Sequence, residues 1–384
     1  MAISAANAAI CVASRFPKLA NIGHANRFQP INITPSTFIS FRRYPILRVT
    51  CAAISDTDQL SHGTITTANN CWSEFCKNVS GEWDGYGAEF SKEGKPIELP
   101  ESVVPEAYRE WEVKVFDWQT QCPTLANPLD STMVYKSIKL LPTVGCEADA
   151  ATRYSIDEKN IGGVDNMVSA FAYKSNGSYV AIWPVGKNDK NRILELEHCL
   201  INPQDRESRL RVIQVVLIDG SKMLLQSIRV FSEQWYGPYG NGDQLGGCAI
   251  RDSTFASTAA IKASEVVGLW QGPKAVAKFD ASQSNFFKEV IDGGVLRSVR
   301  DDSNLILLPK QLWCSLKRSK EAETCCEVGW GFDPGCAVTS KCIFSNDLKL
   351  KLMHENSRSR TSGGFFLFLF IFLFIFFCIL FFFF

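Results

Sequence analysis

Acidic residues are missing from the first 55 positions of this 384-residue chain, where Asp56 is the first carboxylate to occur. Histidine is scarce, with four in all, and net charge is absent, with 40 Lys+Arg against 40 Asp+Glu. A neutral chain gives no whole-molecule attraction to nucleic acid or another polyanion. No G-x-S-x-G occurs, so there is no nucleophile elbow, and no Ser-His-Asp set assembles. None of the 14 Cys falls in a C-x-x-C pair, and Cys325-Cys326, Cys336 and Cys342 do not match a zinc ribbon. No metal and no cofactor is expected. The Gly-rich stretch Gly237 to Gly247 lacks G-x-G-x-x-G spacing and reads as a linker, assigned to 237–253. No strand–helix alternation is visible, which excludes a doubly wound α/β sheet.

The two ends differ from the middle. Before Asp56 stand Arg15, Lys18, Arg27, Arg42, Arg43 and Arg48 among many Ser, Thr and Ala. A basic, hydroxyl-rich segment without carboxylates reads as an organellar transit peptide. Arg15, Pro17 and Lys18 interrupt the only apolar run, which a secretory signal needs over about 7–15 residues. Val49-Thr50-Cys51-Ala52 resembles a stromal processing site, so 1–51 is predicted to be a disordered chloroplast transit peptide and the mature protein stromal. Its removal leaves a net charge of 34 − 40 = −6. At the other end, Phe365 to Phe384 holds only Phe, Leu, Ile and Cys378. Twenty such residues span roughly 30 Å as a helix, a bilayer core's thickness. Residues 365–384 therefore read as a membrane-competent anchor or as a translated T-rich non-coding segment, with membrane attachment only through this tail.

Between residues 70 and 330 strands dominate. Leu194, Leu196, His198 and Leu200 alternate, as does Glu110 to Val115. Asn176-Gly177 and Asp219-Gly220 each separate two apolar runs and predict antiparallel hairpins, with Asp292-Gly293-Gly294 as a third turn. Helices are predicted at Trp72 to Asn78 and at Ser257 to Val267. The class is mostly antiparallel β. Gly81-Glu82-Trp83-Asp84-Gly85 recurs as Gly268-Leu269-Trp270-Gln271-Gly272, each after a helical patch and before a strand-like run, which predicts a duplicated unit.

A short helix leading through G-x-W into a first strand resembles the opening of lipocalins and the wider calycin group, where the indole plugs the closed end of the barrel. Trp72 to Ala126 and Arg209 to Trp235 resemble a cyanobacterial and plastid family with two calycin-like barrels and no assigned function. The resemblance covers about residues 70–330. At fold level alone, the group includes the S/T-type bilin lyases. It implies a first barrel at 70–236 and a second at 254–331, with Gly81, Trp83, Gly268 and Trp270 as structural plugs. An eight-stranded barrel needs roughly 100 residues, so the second copy is expected to be incomplete, followed by an irregular basic, Cys-rich segment at 332–364.

Of the histidines, His24 and His354 lie near the ends, leaving His62 and His198. Aromatic residues concentrate in the first copy. Trp83, Trp118, Tyr135, Tyr173, His198, Arg229, Phe231 and Trp235 are the candidates for lining a cavity, and no catalytic residue is assigned. Arg229 is expected, by position, to be the arginine that stacks on the plug indole in lipocalins, with Arg211 as the alternative. Cys71 and Cys76 are conceivable thioether attachment points. The expected function is a plastid carrier of a hydrophobic small molecule (pigment, tetrapyrrole or fatty acyl group), without catalysis. The alternatives are a pigment-modifying, lyase-like enzyme on the same barrel, and an assembly protein with solid-packed barrels.

Overall fold

A computed structural model describes residues 64–140, 153–186, 192–243, 255–279, 286–319 and 322–360. The predicted transit peptide 1–51, the later part of the predicted linker and the Phe-rich tail 365–384 lie outside these residues.

The fold is mostly β, with a curled half-barrel sheet. Eleven strands build the first sheet: β1 (Glu82–Ser91), β2 (Asp117–Gln121), β3 (Thr124–Asn127), β4 (Thr132–Leu140), β5 (Arg153–Ile161), β6 (Ala170–Tyr173), β7 (Tyr179–Val185), β8 (Arg192–Ile201), β9 (Ser208–Asp219), β10 (Lys222–Gly237) and β12 (Phe287–Glu289). Seven build the second: β11 (Gly268–Lys278), β13 (Ile291–Arg300), β14 (Leu305–Leu308), β15 (Leu312–Arg318), β16 (Thr324–Asp333), β17 (Cys336–Phe344) and β18 (Leu350–Arg360). In the first, β6 to β10 form a meander and β10 returns to pair with β1. In the second, β14 to β18 form a meander and β18 returns to pair with β11. Among the described residues, the one parallel pairing is β12 on β6.

Helix α1 (Thr64–Val79) places Trp72, Phe75, Cys76 and Val79 on one stripe by its 3.6-residue period, and all four are buried. Trp72 Nε1 donates to the Asn127 carbonyl at 2.9 Å. Its ring joins Phe75, Tyr173 and Phe287 in an aromatic cluster. The chain then enters β1 through Gly81 at φ +140°, where a Cβ would lie 2.1 Å from Trp235 Nε1, so no side chain fits. Trp83 Nε1 donates back to Val79 O at 2.9 Å. The same arrangement stands at the start of β11. Gly268 has φ +137°, and Trp270 Nε1 donates to Val266 O, the end of helix α3 (Ala263–Val266), at 2.8 Å.

The two sheets share cores. Leu194, Leu196 and Val216 of the first pack with Cys326, Cys342, Phe344 and Met353 of the second. Leu200, Leu210, Val212, Ile228 and Val230 pack with Leu312, Cys314, Val328 and Val338. Strands covered on both faces read as nearly continuous buried runs, and β8 is buried from Leu194 to Ile201.

Several expectations are corrected. The second sheet does not stop at residue 331, and the described part of the predicted irregular segment 332–364, which ends at 360, is not irregular, because β17 and β18 complete the sheet. Along β17 the apolar residues Val338, Cys342 and Phe344 share one face at period 2, and Lys341 falls on the other. Val338, Cys342 and Phe344 meet the first sheet, while Lys341 turns away to Glu327. Glu110 to Val115 is not a strand. Pro105 starts a short helix, α2 (Glu106–Glu110), and Trp111 and Val113 are exposed. Ser257 to Val267 is not one helix, because the Thr258 hydroxyl closes a turn on Phe255 O at 2.6 Å and only α3 remains helical. Asp292-Gly293-Gly294 lies within β13, where a register shift opposite Pro273 and Ala275 absorbs the glycines as an irregularity of the strand pair. The first part of the predicted linker is tied down, since the Gly240 N–H donates to Glu82 at 2.5 Å.

Candidate functional site

Residues that alternate with the shared core point to the face of the first sheet turned away from the second. On β8 these are Glu195, Glu197 and Cys199, and on β9 they are Arg209, Arg211 and Ile213. Glu197 is fully buried. It accepts from Tyr135 Oη at 2.5 Å, Tyr179 Oη at 2.9 Å and Trp183 Nε1 at 2.8 Å, and pairs with Arg211 Nη1 at 3.1 Å. Arg211 also pairs with Glu233 at 2.8 Å, and Arg209 Nε donates to Glu233 at 2.6 Å. Two guanidiniums thus balance two carboxylates in a site closed to water.

Burial alone would raise both carboxyls, but Arg211 beside Glu197, and Arg209 and Arg211 beside Glu233, outweigh it and hold both below the usual range. Burial, reinforced by Glu197, pushes the Tyr135 and Tyr179 hydroxyls well up, so they remain donors. Burial also raises the Cys71 thiol to about 12 and Cys76 to about 11, which makes either a poor nucleophile for a thioether link.

Trp83, Tyr135 and Tyr173 fall in one buried cluster with Trp183 and Tyr179. Trp118 and Phe231 meet edge to face at 6.1 Å in another. Arg229 pairs with Glu195 nearer the rim and does not stack on the plug indole. Arg209 does so, with its guanidinium 4.1 Å over Trp83. Its side chain starts one strand farther from β1 and is held by Glu233, its partner in the β9–β10 register. Arg211 stands instead over Phe231 and Tyr135, at 4.7 and 5.2 Å.

Two candidates lie elsewhere. His198 shares its face with Leu194, Leu196 and Leu200, and that face packs on the second sheet, where His198 Nδ1 meets Ser340 Oγ at 2.8 Å. Trp235 is 36% exposed and donates from Nε1 to Ser80 O at 3.2 Å. Sequence reasoning missed Glu197, Arg209 and Arg211 as one network. Its trace was visible as charge at alternate positions in two apolar strands, Glu195/Glu197 and Arg209/Arg211.

A cavity of about 550 Å³ lies at the helical end of the second sheet. Trp270 and Trp313, 6.2 Å apart, line it with Ile261, Phe332 and Pro334, and Glu265, Asp333 and Arg360 add charge.

No family model and no curated protein matches this chain. Among solved structures, a DUF3598-family protein of unknown function from Nostoc punctiforme is similar, with a TM-score of 0.45 and 13% identity over 76% of this chain and 98% of that one. MucB in complex with MucA follows at a TM-score of 0.17 and 8% identity, covering 75% of this chain and 92% of that chain.

Proposed function

We propose that this chain is a non-catalytic plastid protein, built as two lipocalin-like units, that binds a hydrophobic small molecule such as a pigment, tetrapyrrole or fatty acyl group. The observation that carries the reading is the cavity against Trp270 and Trp313. Its volume, about 550 Å³, suits a small ligand, and its walls are largely apolar with a few charged groups at hand. The matching turn, indole hydrogen bond and strand closure at Trp83 and Trp270 support descent of the two units from one. Attachment to a membrane would run only through residues 365–384.

The test is an organic extract of the full-length protein purified from its native source, analysed by mass spectrometry and absorbance. A bound apolar compound, lost when Ile261→Trp fills the cavity, is the expected result. A protein that emerges empty and takes up no fatty acid or pigment when offered them contradicts the reading.

A second reading rests on the first sheet. There Glu197 is satisfied by four donors from the chain itself, the pattern of a packed interior. On that reading the first unit is a scaffold for assembly with another protein, and only the second holds a ligand.

A further inference from the structure

The face of the second sheet turned away from the shared cores departs from the charge balance of the first. Glu327 is its buried carboxylate, paired with Lys341 at 2.7 Å and with Arg300. Arg358, buried to 2% exposure, stands in the same group without a carboxylate of its own. One of its nitrogens donates to Ser298, and with the Asn356 amide oriented to satisfy both its ends, Nη2 donates to Asn356 at 3.1 Å. Three cations therefore face one carboxylate, an excess of two positive charges, and Lys274 approaches the group from β11. Arg358 Nε, Arg300 Nη1 and Thr339 Oγ1 are buried without a protein partner among the described residues. His354 is pushed to about 4 by burial and by Lys274, Lys341 and Arg358, so it adds no charge near neutrality.

Unbalanced buried cations are costly unless a counter-charge joins them. Guanidinium forks match the tetrahedral oxygens of a phosphate, and a phosphate monoester carries about −1.5 to −2 near pH 7, the size of the excess. A carboxylate would supply only half of it. We infer that Arg300, Lys341 and Arg358 form a binding site for a phosphate group, either free phosphate or the headgroup of a lipid. Arg300 stands over Trp270 and Trp313, 5.6 and 5.0 Å from the ring centres, so this site borders the cavity they line, and it goes beyond the binding reading above.

The test uses the full-length protein, calorimetric titration and thermal unfolding, with three probes: inorganic phosphate, a short-chain phosphatidic acid below its micelle concentration, and hexanoate. Either phosphate compound is expected to bind and to raise the midpoint beyond chloride at equal ionic strength. Tighter binding of the phosphatidic acid assigns a lipid headgroup, and equal or weaker binding assigns free phosphate. Arg358→Gln is expected to weaken binding at least about tenfold. Lys341→Gln, at a partly exposed position, gives the same direction should the arginine variant fail to fold, and Lys351→Gln, paired with Glu323 elsewhere, binds as the parent does. Absence of binding to both phosphate compounds at about 10 mM, affinity unchanged in Lys341→Gln, or hexanoate binding as tightly as phosphate overturns the assignment. Neither Lys341 nor Arg358 lines the cavity, so loss of phosphate binding in Lys341→Gln with uptake of an apolar ligand retained separates this result from the test of the cavity.

Discussion

The Arg209 guanidinium lies 4.1 Å over the Trp83 ring while its Nε–H donates to Glu233 at 2.6 Å, so one side chain joins the plug of the first sheet to its ion network. Arg209→Met removes one of two cations from a balanced set and leaves Glu233 with Arg211 alone. Removing one partner of a buried pair costs about 3–5 kcal/mol. Urea unfolding should show that loss. The double variant Arg209→Met, Glu233→Leu restores one carboxylate per guanidinium and should lose less than the single one; strictly additive losses would show that the groups are not coupled.

The glycine two residues after each indole matters for spacing rather than for φ. A Cβ on Gly85 would stand 1.9 Å from Ser232 O, and one on Gly272 would stand 2.0 Å from Ser357 O, both backbone atoms of the closing strand. Gly85→Ala and Gly272→Ala must part β1 from β10 and β11 from β18, and each should cost more than about 4 kcal/mol or abolish soluble expression. Gly237→Ala meets nothing within 4 Å and should change stability by no more than about 0.5 kcal/mol.

Trp83 and Trp270 sit in different sheets, yet those sheets share two apolar clusters. Trp83→Ala and Trp270→Ala should each cost about 3–5 kcal/mol and each should keep a single calorimetric transition. Two resolved transitions in either variant would contradict the shared cores.

His198 is fully buried between the sheets, and burial holds it at about 4 against an ordinary 6.5. The unfolded chain therefore binds a proton that the folded one refuses, and stability falls as pH drops from 6.5 toward 4. His354, also at about 4, acts in the same sense, whereas Asp84, raised by burial to about 6, opposes it. A comparison with His198→Gln isolates the one group. Between about pH 7 and 4.5 the parent should lose about 2–3 kcal/mol more than the variant, read by denaturant titration at both values. Equal losses would mean that the imidazole protonates within the folded protein.

The β class and the two G-x-W turns were legible because they are local. A glycine, an indole and a period of two can be read within ten residues. The hairpin at Asp219-Gly220 was legible for the same reason, and β9 and β10 are joined there. Where reading failed, the deciding partner lay far along the chain. The alternation of Leu194, Leu196, His198 and Leu200 was visible, but which face met a second sheet depended on Ser340, 142 positions away. The strands β17 and β18 carry Lys341, Lys351, His354, Arg358 and Arg360 and so read as an irregular basic segment, until Glu327 of the neighbouring strand is found opposite Lys341. Glu110 to Val115 failed the other way, since its alternation had no neighbouring strand to face.

The return pairing is β10 on β1 in the first sheet and β18 on β11 in the second, and among the described residues only the short β12 joins the first sheet later in the chain. On the ribosome, the first sheet can therefore close on the order of a hundred residues before β18 emerges, an interval of several seconds at ordinary translation speed. Through that interval Leu194, Leu196 and Val216 lack their cover from the second sheet, and a nascent chain in this condition carries an aggregation-prone apolar face.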